Sequence, residues 1–330
     1  MRIIISILSI LQVVMLSFIQ AQDIHWSQIN QIQPYQNTST IGEYEEDIKF
    51  TLAARDQWRS VTKPYQTYFG SIDTKLRKIT WLSLGCYFLT DGTGDGIYKT
   101  NQINLLAKVG KIINSKLSIS GGIDFGYVNK NLNFNNFKFD NQYDGLKYNG
   151  QLLTNESFTN SSFNNFTLGT GFSAKHKISN NHEVTIGVSY YNLNRPKESF
   201  YQLEIIRPVR SNYLVLYNYQ LNKQIFNSYV NFELQNSYRK LIFGVLDNLK
   251  VNNKKIKQIH IGISNRIQDA IILHLGISSF NTKIIFTYDV NTSKLKTASN
   301  GRGSLELNIQ HLIKKKKLTY KITPSCIDYY

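Results

Sequence analysis

Along much of the chain, apolar and polar residues alternate one for one. From Leu117, the residues Leu117, Ile119, Gly121, Ile123, Phe125 and Tyr127 interleave with Ser118, Ser120, Gly122, Asp124 and Gly126. A period of two puts successive side chains on opposite faces of a strand, one greasy and one small or polar. The pattern returns at Phe166–His176, Val184–Tyr191, Ile271–Ser279, Ile284–Val290 and Leu305–Gln310. Strands are predicted near 48–54, 66–76, 79–89, 99–109, 116–127, 164–176, 183–193, 211–220, 226–235, 238–247, 256–264, 270–279, 281–290 and 303–312, with a further short one near 318–323. That makes roughly 14, an even number, as single-chain bacterial barrels require. The expected fold is all-β: a transmembrane antiparallel β-barrel, with lipid outside and water or small residues inside.

The ends of the chain agree. Arg2 supplies a positive start, Ile3 to Phe18 an apolar core, and Ile19-Gln20-Ala21 a small-residue cleavage site before Gln22, the layout of a secretory signal peptide. An uncleaved anchor is the alternative, but the apolar stretch is short for a helix that must span about 20 residues. No later segment has the apolar length of a transmembrane helix, so any spanning is by barrel. The expected organisation is a signal peptide at 1–21, an N-terminal periplasmic segment or lumen plug at 22–47, and an outer-membrane barrel at 48–330. A β-sandwich would also alternate, but so many strands would need two sandwiches and a linker, and none is visible.

Loop lengths give an independent check, because barrels alternate short periplasmic turns with longer outer loops. With the N-terminus in the periplasm, the outward connections are Arg55–Tyr65, Thr90–Tyr98, Val128–Phe163 and Asn194–Arg210, which include the longest in the chain. Arg77–Lys78 and Lys177–His182 are short inward turns. The contrast fades in the second half, where Asn236–Ser237 is an outer connection of minimal length.

Composition changes the picture little. Tyr (21) and Phe (18) are abundant, which suits the interfacial girdles of a barrel, and a mean hydropathy of −0.29 suits strands with one wet face. The net charge of +16 points to anionic lipid head groups or an acidic partner, and a secreted chain argues against nucleic acid. Lys314–Lys317 is the sharpest basic run, read as either a solvated tail or a docking site. Cys86 and Cys326 cannot make a disulfide framework; they either pair in an oxidising periplasm or stay separate.

Candidate chemistry is sparse. Asp91-Gly92-Thr93-Gly94-Asp95-Gly96 resembles the start of a calcium loop, but the twelfth position, where a bidentate Glu is needed, holds Gln102. A Gly/Asp-rich hairpin tip explains the same residues. The histidines, His25, His176, His182, His260, His274 and His311, show no ligand spacing, and His260 and His274 fall on polar strand faces. There is no nucleophile elbow and no phosphate loop, so no catalytic residue, metal site or cofactor is assigned. Arg55-Asp56-Gln57-Trp58-Arg59-Ser60-Val61, followed by Lys63-Pro64-Tyr65, admits two readings. It is a binding platform of guanidinium forks and a stacking ring, or an interfacial Trp with snorkelling arginines at the barrel rim.

Several ordered blocks match one family. Gln22-Asp23-Ile24-His25-Trp26-Ser27-Gln28, the Arg55–Trp58 stretch with Pro64-Tyr65 and Ser71-Ile72-Asp73, and the Asp91–Gly96 loop come first. Asn141-Gln142-Tyr143-Asp144-Gly145, Asn192 to Ser199, and Tyr288 to Leu295 with Gly303 and Glu306 follow. In these blocks the chain resembles the PorP/SprF family of Bacteroidetes outer-membrane proteins, linked to type IX secretion and gliding motility. It departs from the family at Thr38-Ser39, where Pro-Ala is usual, and at Ile327 after Cys326. The resemblance implies a non-enzymatic accessory of type IX secretion that assists export or surface attachment of cargo bearing a C-terminal sorting domain. The implied partners are the type IX machinery, such cargo, and outer-membrane lipids. The outward blocks supply the candidate partner-binding residues: Arg55, Asp56, Trp58, Arg59, Asp91, Asp95, Asn141, Tyr143, Asp144, Arg195, Lys197 and Glu198. The rival functions are a porin-like channel for small solutes on the same fold and a soluble adhesin-like β-protein.

Overall fold

The computed structural model describes residues 23–61, 63–76, 78–93, 97–134, 137–155, 161–200, 205–294 and 296–314. The expected signal peptide, Asp95, Lys315–Lys317, the further strand expected near 318–323 and the Cys326 half of any disulfide lie outside the described residues.

The strands are β1 (Ile48–Gln57), β2 (Tyr65–Lys75), β3 (Leu82–Gly92), β4 (Tyr98–Ile112), β5 (Leu117–Leu132), β6 (Ser162–Ser179), β7 (His182–Tyr191), β8 (Lys197–Glu198), β9 (Ile205–Ile206), β10 (Arg210–Leu221), β11 (Gln224–Gln235), β12 (Tyr238–Lys250), β13 (Gln258–Arg266), β14 (Ala270–Ser279), β15 (Thr282–Asn291) and β16 (Arg302–Ile313). β8 and β9 form a small ribbon of their own; the other 14 close into one antiparallel barrel. Each barrel strand pairs with the next in sequence, β7 meets β10, and β16 closes on β1 with Ile48 opposite Ile313 and Gln57 opposite Ser304. Closure removes every exposed edge, so the backbone groups of the wall are satisfied without water.

Side-chain alternation is that of a membrane barrel. Leu52, Leu105, Ile123 and Leu275 point outward and are 60%, 61%, 66% and 60% exposed, whereas their polar neighbours Thr51, Asn104, Asp124 and His274 point inward and are buried. The fourteen strands expected between 48 and 312 are all present. β1, β3 and β5 run further than the apolar pattern indicates, which corrects three placements: Arg55 and Asp56 belong to β1 and Asp91 to β3, not to the connections beyond them. Among the extra residues, Arg55, Asp56, Gln57, Asn129, Lys130 and Asn131 are polar on whichever face they fall, as expected where a strand extends past the hydrocarbon layer and alternation is no longer required.

Antiparallel order sorts the connections. The described residues of the connections 58–64, 93–97, 133–161, 192–209, 236–237, 267–269 and 292–301 lie at one end, the long-loop rim. Those of the connections 76–81, 113–116, 180–181, 222–223, 251–257 and 280–281 lie at the other, the short-turn rim. The tight turns carry left-handed residues such as Asn222 (φ 49°) and Asn236 (φ 52°), and Asn tolerates that conformation because its side chain bonds locally.

Residues 24–41 lie inside the wall. They form short helical turns at Ile29–Gln31, Gln33–Gln36 and Thr38–Thr40. Trp26, Ile32, Tyr35 and Ile41 pack on the inward-facing Phe69, Tyr87, Leu89 and Leu106, and Ile29 packs on Tyr229, Ile242, Ile272 and Ile285. Fully burying such side chains stabilises by roughly 1.5–3 kcal/mol each.

Candidate functional site

The chain enters the described structure at the long-loop rim and leaves the interior at the short-turn rim. At the first end, Arg207 donates to the Asp23 carboxylate from Nη2 at 2.6 Å and from Nε at 3.1 Å, and Asn192 donates at 3.2 Å. The backbone N–H of Asp23 donates to Gln235 at 2.8 Å. Burial alone would raise the Asp23 carboxyl, but Arg207 and Arg210 outweigh it and hold it well below the usual carboxylate range. The Arg210 guanidinium lies 4.2 Å from the Tyr35 ring centre and 4.5 Å from that of Tyr191, and Nη2 donates to the Tyr35 carbonyl at 3.2 Å.

Deeper in, a buried ionic cluster fixes the segment to β1, β13, β15 and β16. The Glu306 carboxylate accepts the backbone N–H groups of Ser27 at 2.7 Å and Gln28 at 3.0 Å, and it pairs with Arg55. Asp289 accepts from Ser27 Oγ at 2.8 Å and pairs with Arg266 at 2.7 Å. Arg55 and Arg266 both donate to Ser27 Oγ, at 3.1 and 3.0 Å. Burial, then the charges of Arg55 and Arg266, hold the neighbouring His25 imidazole well below its usual range and so neutral near pH 7. A cavity of about 320 Å³ opens above this cluster, lined by His25, Arg55, Trp58, Tyr238, Arg266 and Asp269, among others.

On the opposite wall the segment meets a cradle of glycines. Asn37 Nδ2 donates to the carbonyls of Phe172 at 3.3 Å and Val188 at 3.4 Å, and its Oδ1 accepts from Ser39 N and Oγ at 3.0 and 2.7 Å. A Cβ on Gly122 would sit 2.8 Å from the Thr38 carbonyl carbon and 2.9 Å from Ser39 N. The Ser39 hydroxyl thus takes part in the turn at the very place where the sequence departs from Pro-Ala.

The residues marked out by sequence divide into groups. Arg55, 3% exposed, belongs to the interior clamp. Asp56 and Arg59 form an exposed ion pair beside it, and Trp58 (φ 63°) packs edge-on against Tyr65 with ring centres 5.0 Å apart. Asp91 accepts from Thr67. Asn141, Tyr143 and Asp144 bond within their own connection: to the Thr154 carbonyl at 3.3 Å, to the Tyr148 ring, and to the N–H groups of Leu146 and Lys147 at 2.9 Å. Arg195 (φ 46°) is exposed, Lys197 stands on β8, and Glu198 bridges Lys130 at 2.6 Å and Arg207 at 3.3 Å. All the described candidates stand toward the long-loop end, but only Arg55 and Glu198 join the network around the interior segment. Sequence reasoning missed Asp23, Ser27, Arg207, Arg266 and Asp289; the period-two run Thr287, Asp289, Asn291 facing Ser304, Glu306, Asn308 carried the signal for the acids. Among the described residues there is no cluster of metal-ligating side chains.

The family model described as "Type IX secretion system membrane protein PorP/SprF" matches residues 19–311. That span includes the interior segment and nearly the whole barrel. The chain belongs to the PorP/SprF family. It is an outer-membrane β-barrel of type IX secretion, and membership puts it among the partners of that machinery. Similar solved barrels include the TodX deltaS2S3 mutant, described as a monoaromatic hydrocarbon channel, at 10% identity and a TM-score of 0.52, with 86% of this chain and 94% of that one covered. CymD, also described as a monoaromatic hydrocarbon channel, follows at 10% identity and 0.50, with 86% and 93% covered. The Pseudomonas putida toluene transporter TodX gives 10% identity and 0.48, with 87% and 93% covered. At such identities the first two likenesses establish the fold alone. No curated protein matches the sequence.

Proposed function

We propose that this PorP/SprF protein is a non-enzymatic outer-membrane anchor or secretion partner, assisting export or surface attachment of cargo with a C-terminal sorting domain. The observation that carries the reading is the interior segment. Residues 24–41 hydrogen-bond to β15 and β16 on one side and to β6 and β7 on the other. A lumen crossed in this way is a poor path for solutes and a rigid base for a rim. The described residues of the matched blocks at 55–65, 91–96, 141–145 and 194–199 stand toward the long-loop end, where the blocks would form the cargo-holding surface.

The rival is a channel, the function named for TodX and CymD. Two measurements separate the readings. Affinity capture from detergent-solubilised outer membranes, read by mass spectrometry, recovers a large sorting-domain protein and secretion machinery if the anchor reading holds. A stable conductance of the folded wild-type protein in planar bilayers, with neither recovered, would favour the channel.

A further inference from the structure

The short-turn end carries a second site that neither the family nor the interior clamp explains. A cavity of about 580 Å³ opens there, lined by Lys75, Lys108, Lys111, Lys116, Lys175 and Lys177 against only Glu43, Glu45 and Glu183. Around it, the connections 76–81, 113–116, 180–181, 222–223, 251–257 and 280–281 contain no Asp or Glu at all, while Lys78, Lys116, Lys223, Lys254, Lys255 and Lys257 are exposed. The other rim mixes signs, with Asp140, Asp144 and Asp269 among its bases. The segment that leaves the interior at the short-turn end brings Glu43, Glu45, Glu46 and Asp47 near Lys75, so the excess of base there is that of Lys111, Lys116, Lys177 and the turn lysines.

The chain itself demonstrates what this basin binds. Glu43 places one carboxylate oxygen on Lys108 and the other 2.7 Å from Lys175. Lys75 stands 5.0 Å from the ring centre of Tyr44, and Lys111, Lys116 and Lys177 hold no ion pair among the described residues. One carboxylate has two lysines, and others nearby are free to take more.

We propose that the basin and its lysine collar dock an acidic, Asp/Glu-rich segment of a soluble protein at the short-turn end. The inward course of Lys108 and Lys175 favours a protein over a lipid surface: a bilayer head group outside the wall cannot reach the lumen mouth, whereas a flexible peptide can. The breadth of the collar likewise exceeds a single inorganic anion. Docking of this kind is electrostatic, so it steers encounter and weakens with salt. The proposal stands apart from the cargo reading, which concerns the other rim.

The test uses the full barrel in uncharged detergent and a fluorescent peptide of alternating Asp and Glu. Binding should weaken about tenfold between about 0.05 M and about 0.3 M salt. Lys116→Glu with Lys177→Glu should weaken it by a further factor of about ten, while Lys63→Glu with Lys296→Glu at the long-loop rim leaves it unchanged. Heat-modifiable mobility on gels checks that each variant is folded. Equal losses from both pairs would overturn the site. So would displacement of the peptide by millimolar inorganic phosphate, which would assign a small-anion site. If nanodiscs of phosphatidylglycerol bind the wild type in place of the peptide and the Lys116/Lys177 pair abolishes that binding, the collar belongs to lipid and the proposal fails.

Discussion

Glu306→Gln is the sharpest probe of the interior clamp. The substitution keeps the shape of the side chain and removes its charge. It takes the ion pair from Arg55 and turns two charge-assisted acceptor contacts, to Ser27 N and Gln28 N, into at best one neutral contact. No spare carboxylate is within easy reach. Asp289 lies 3.7 Å from Arg55 and is already held by Arg266 at 2.7 Å. Both partners of the broken pair are almost fully buried, with side chains 2% and 1% exposed. Removing one member of such a pair costs about 3–5 kcal/mol. The lumen mouth lets some water reach the freed guanidinium, so the lower figure of about 3 kcal/mol applies, which lowers the docked-to-undocked ratio of residues 24–41 by roughly 10²-fold.

Amide hydrogen exchange, read by mass spectrometry on protein in nanodiscs, reports that ratio directly for the segment. Peptides covering 24–41 should exchange about 10²-fold faster in the variant, while those from β4 and β5 keep their protection. The double variant Arg55→Gln with Glu306→Gln should recover part of the loss, because no buried charge is then left unpaired. If 24–41 exchanges within about threefold of wild type in the folded single variant, the clamp does not hold the segment and the reasoning fails.

Three further outcomes follow from the same geometry. Gly122→Val drives a side chain into the backbone of Thr38 and Ser39 and should raise both exchange in 24–41 and bilayer conductance; Gly70→Ala, whose nearest contact is Leu52 Cδ2 at 3.5 Å, is the matched control and should raise neither. Asp23, facing Arg207, Arg210 and Lys130, and Glu43, facing Lys108 and Lys175, both titrate below their ordinary values, despite burial that acts the other way. Their contribution is present above the ordinary carboxylate values and is lost as pH falls below about 4. His25, held neutral in the docked segment by burial and by Arg55 and Arg266, takes up a proton on undocking. Docking should therefore begin to loosen as pH falls below about 6.5 and loosen further below about pH 4; exchange in 24–41 that stays constant from about pH 7 down to about pH 4 would contradict it. Ile123→Arg places a charge on the lipid face and should cost about 2–4 kcal/mol in refolding titrations, whereas a cost below about 0.5 kcal/mol would mean that this face does not meet hydrocarbon.

The barrel was legible because lipid imposes its pattern residue by residue. Outward positions such as Leu105, Ile123 and Leu275 must be apolar wherever the wall crosses hydrocarbon, and inward ones need not be. The rule also set the limits of the reading. Beyond the hydrocarbon layer β1 continues through Ala54, Arg55 and Asp56, and β5 through Asn129, Lys130 and Asn131. There both faces are wet or protein-lined, the alternation stops, and a strand reads as a loop.

The interior segment was illegible for the opposite reason. Residues 24–41 are buried on all sides, yet they face a wall that is polar as well as apolar, so no period marks a core face. Their burial is satisfied by individual bonds: Gln36 O to Ser189 and Asn212 at 2.7 Å each, Gln31 O to Gln310 at 2.7 Å, and Ser27 to Glu306 and Asp289. Such bonds join residues more than 150 positions apart, and a local pattern cannot announce them. Arg55 shows the consequence. Its sequence block offered either a ligand fork or a snorkelling rim residue, and both readings gave the guanidinium to solvent or ligand. In the fold it faces inward near the end of β1, where Glu306, 251 residues away on β16, takes it. The platform at the long-loop mouth therefore keeps Trp58 and the exposed Asp56–Arg59 pair, while the arginine most suited to a forked contact is spent on holding the segment in place.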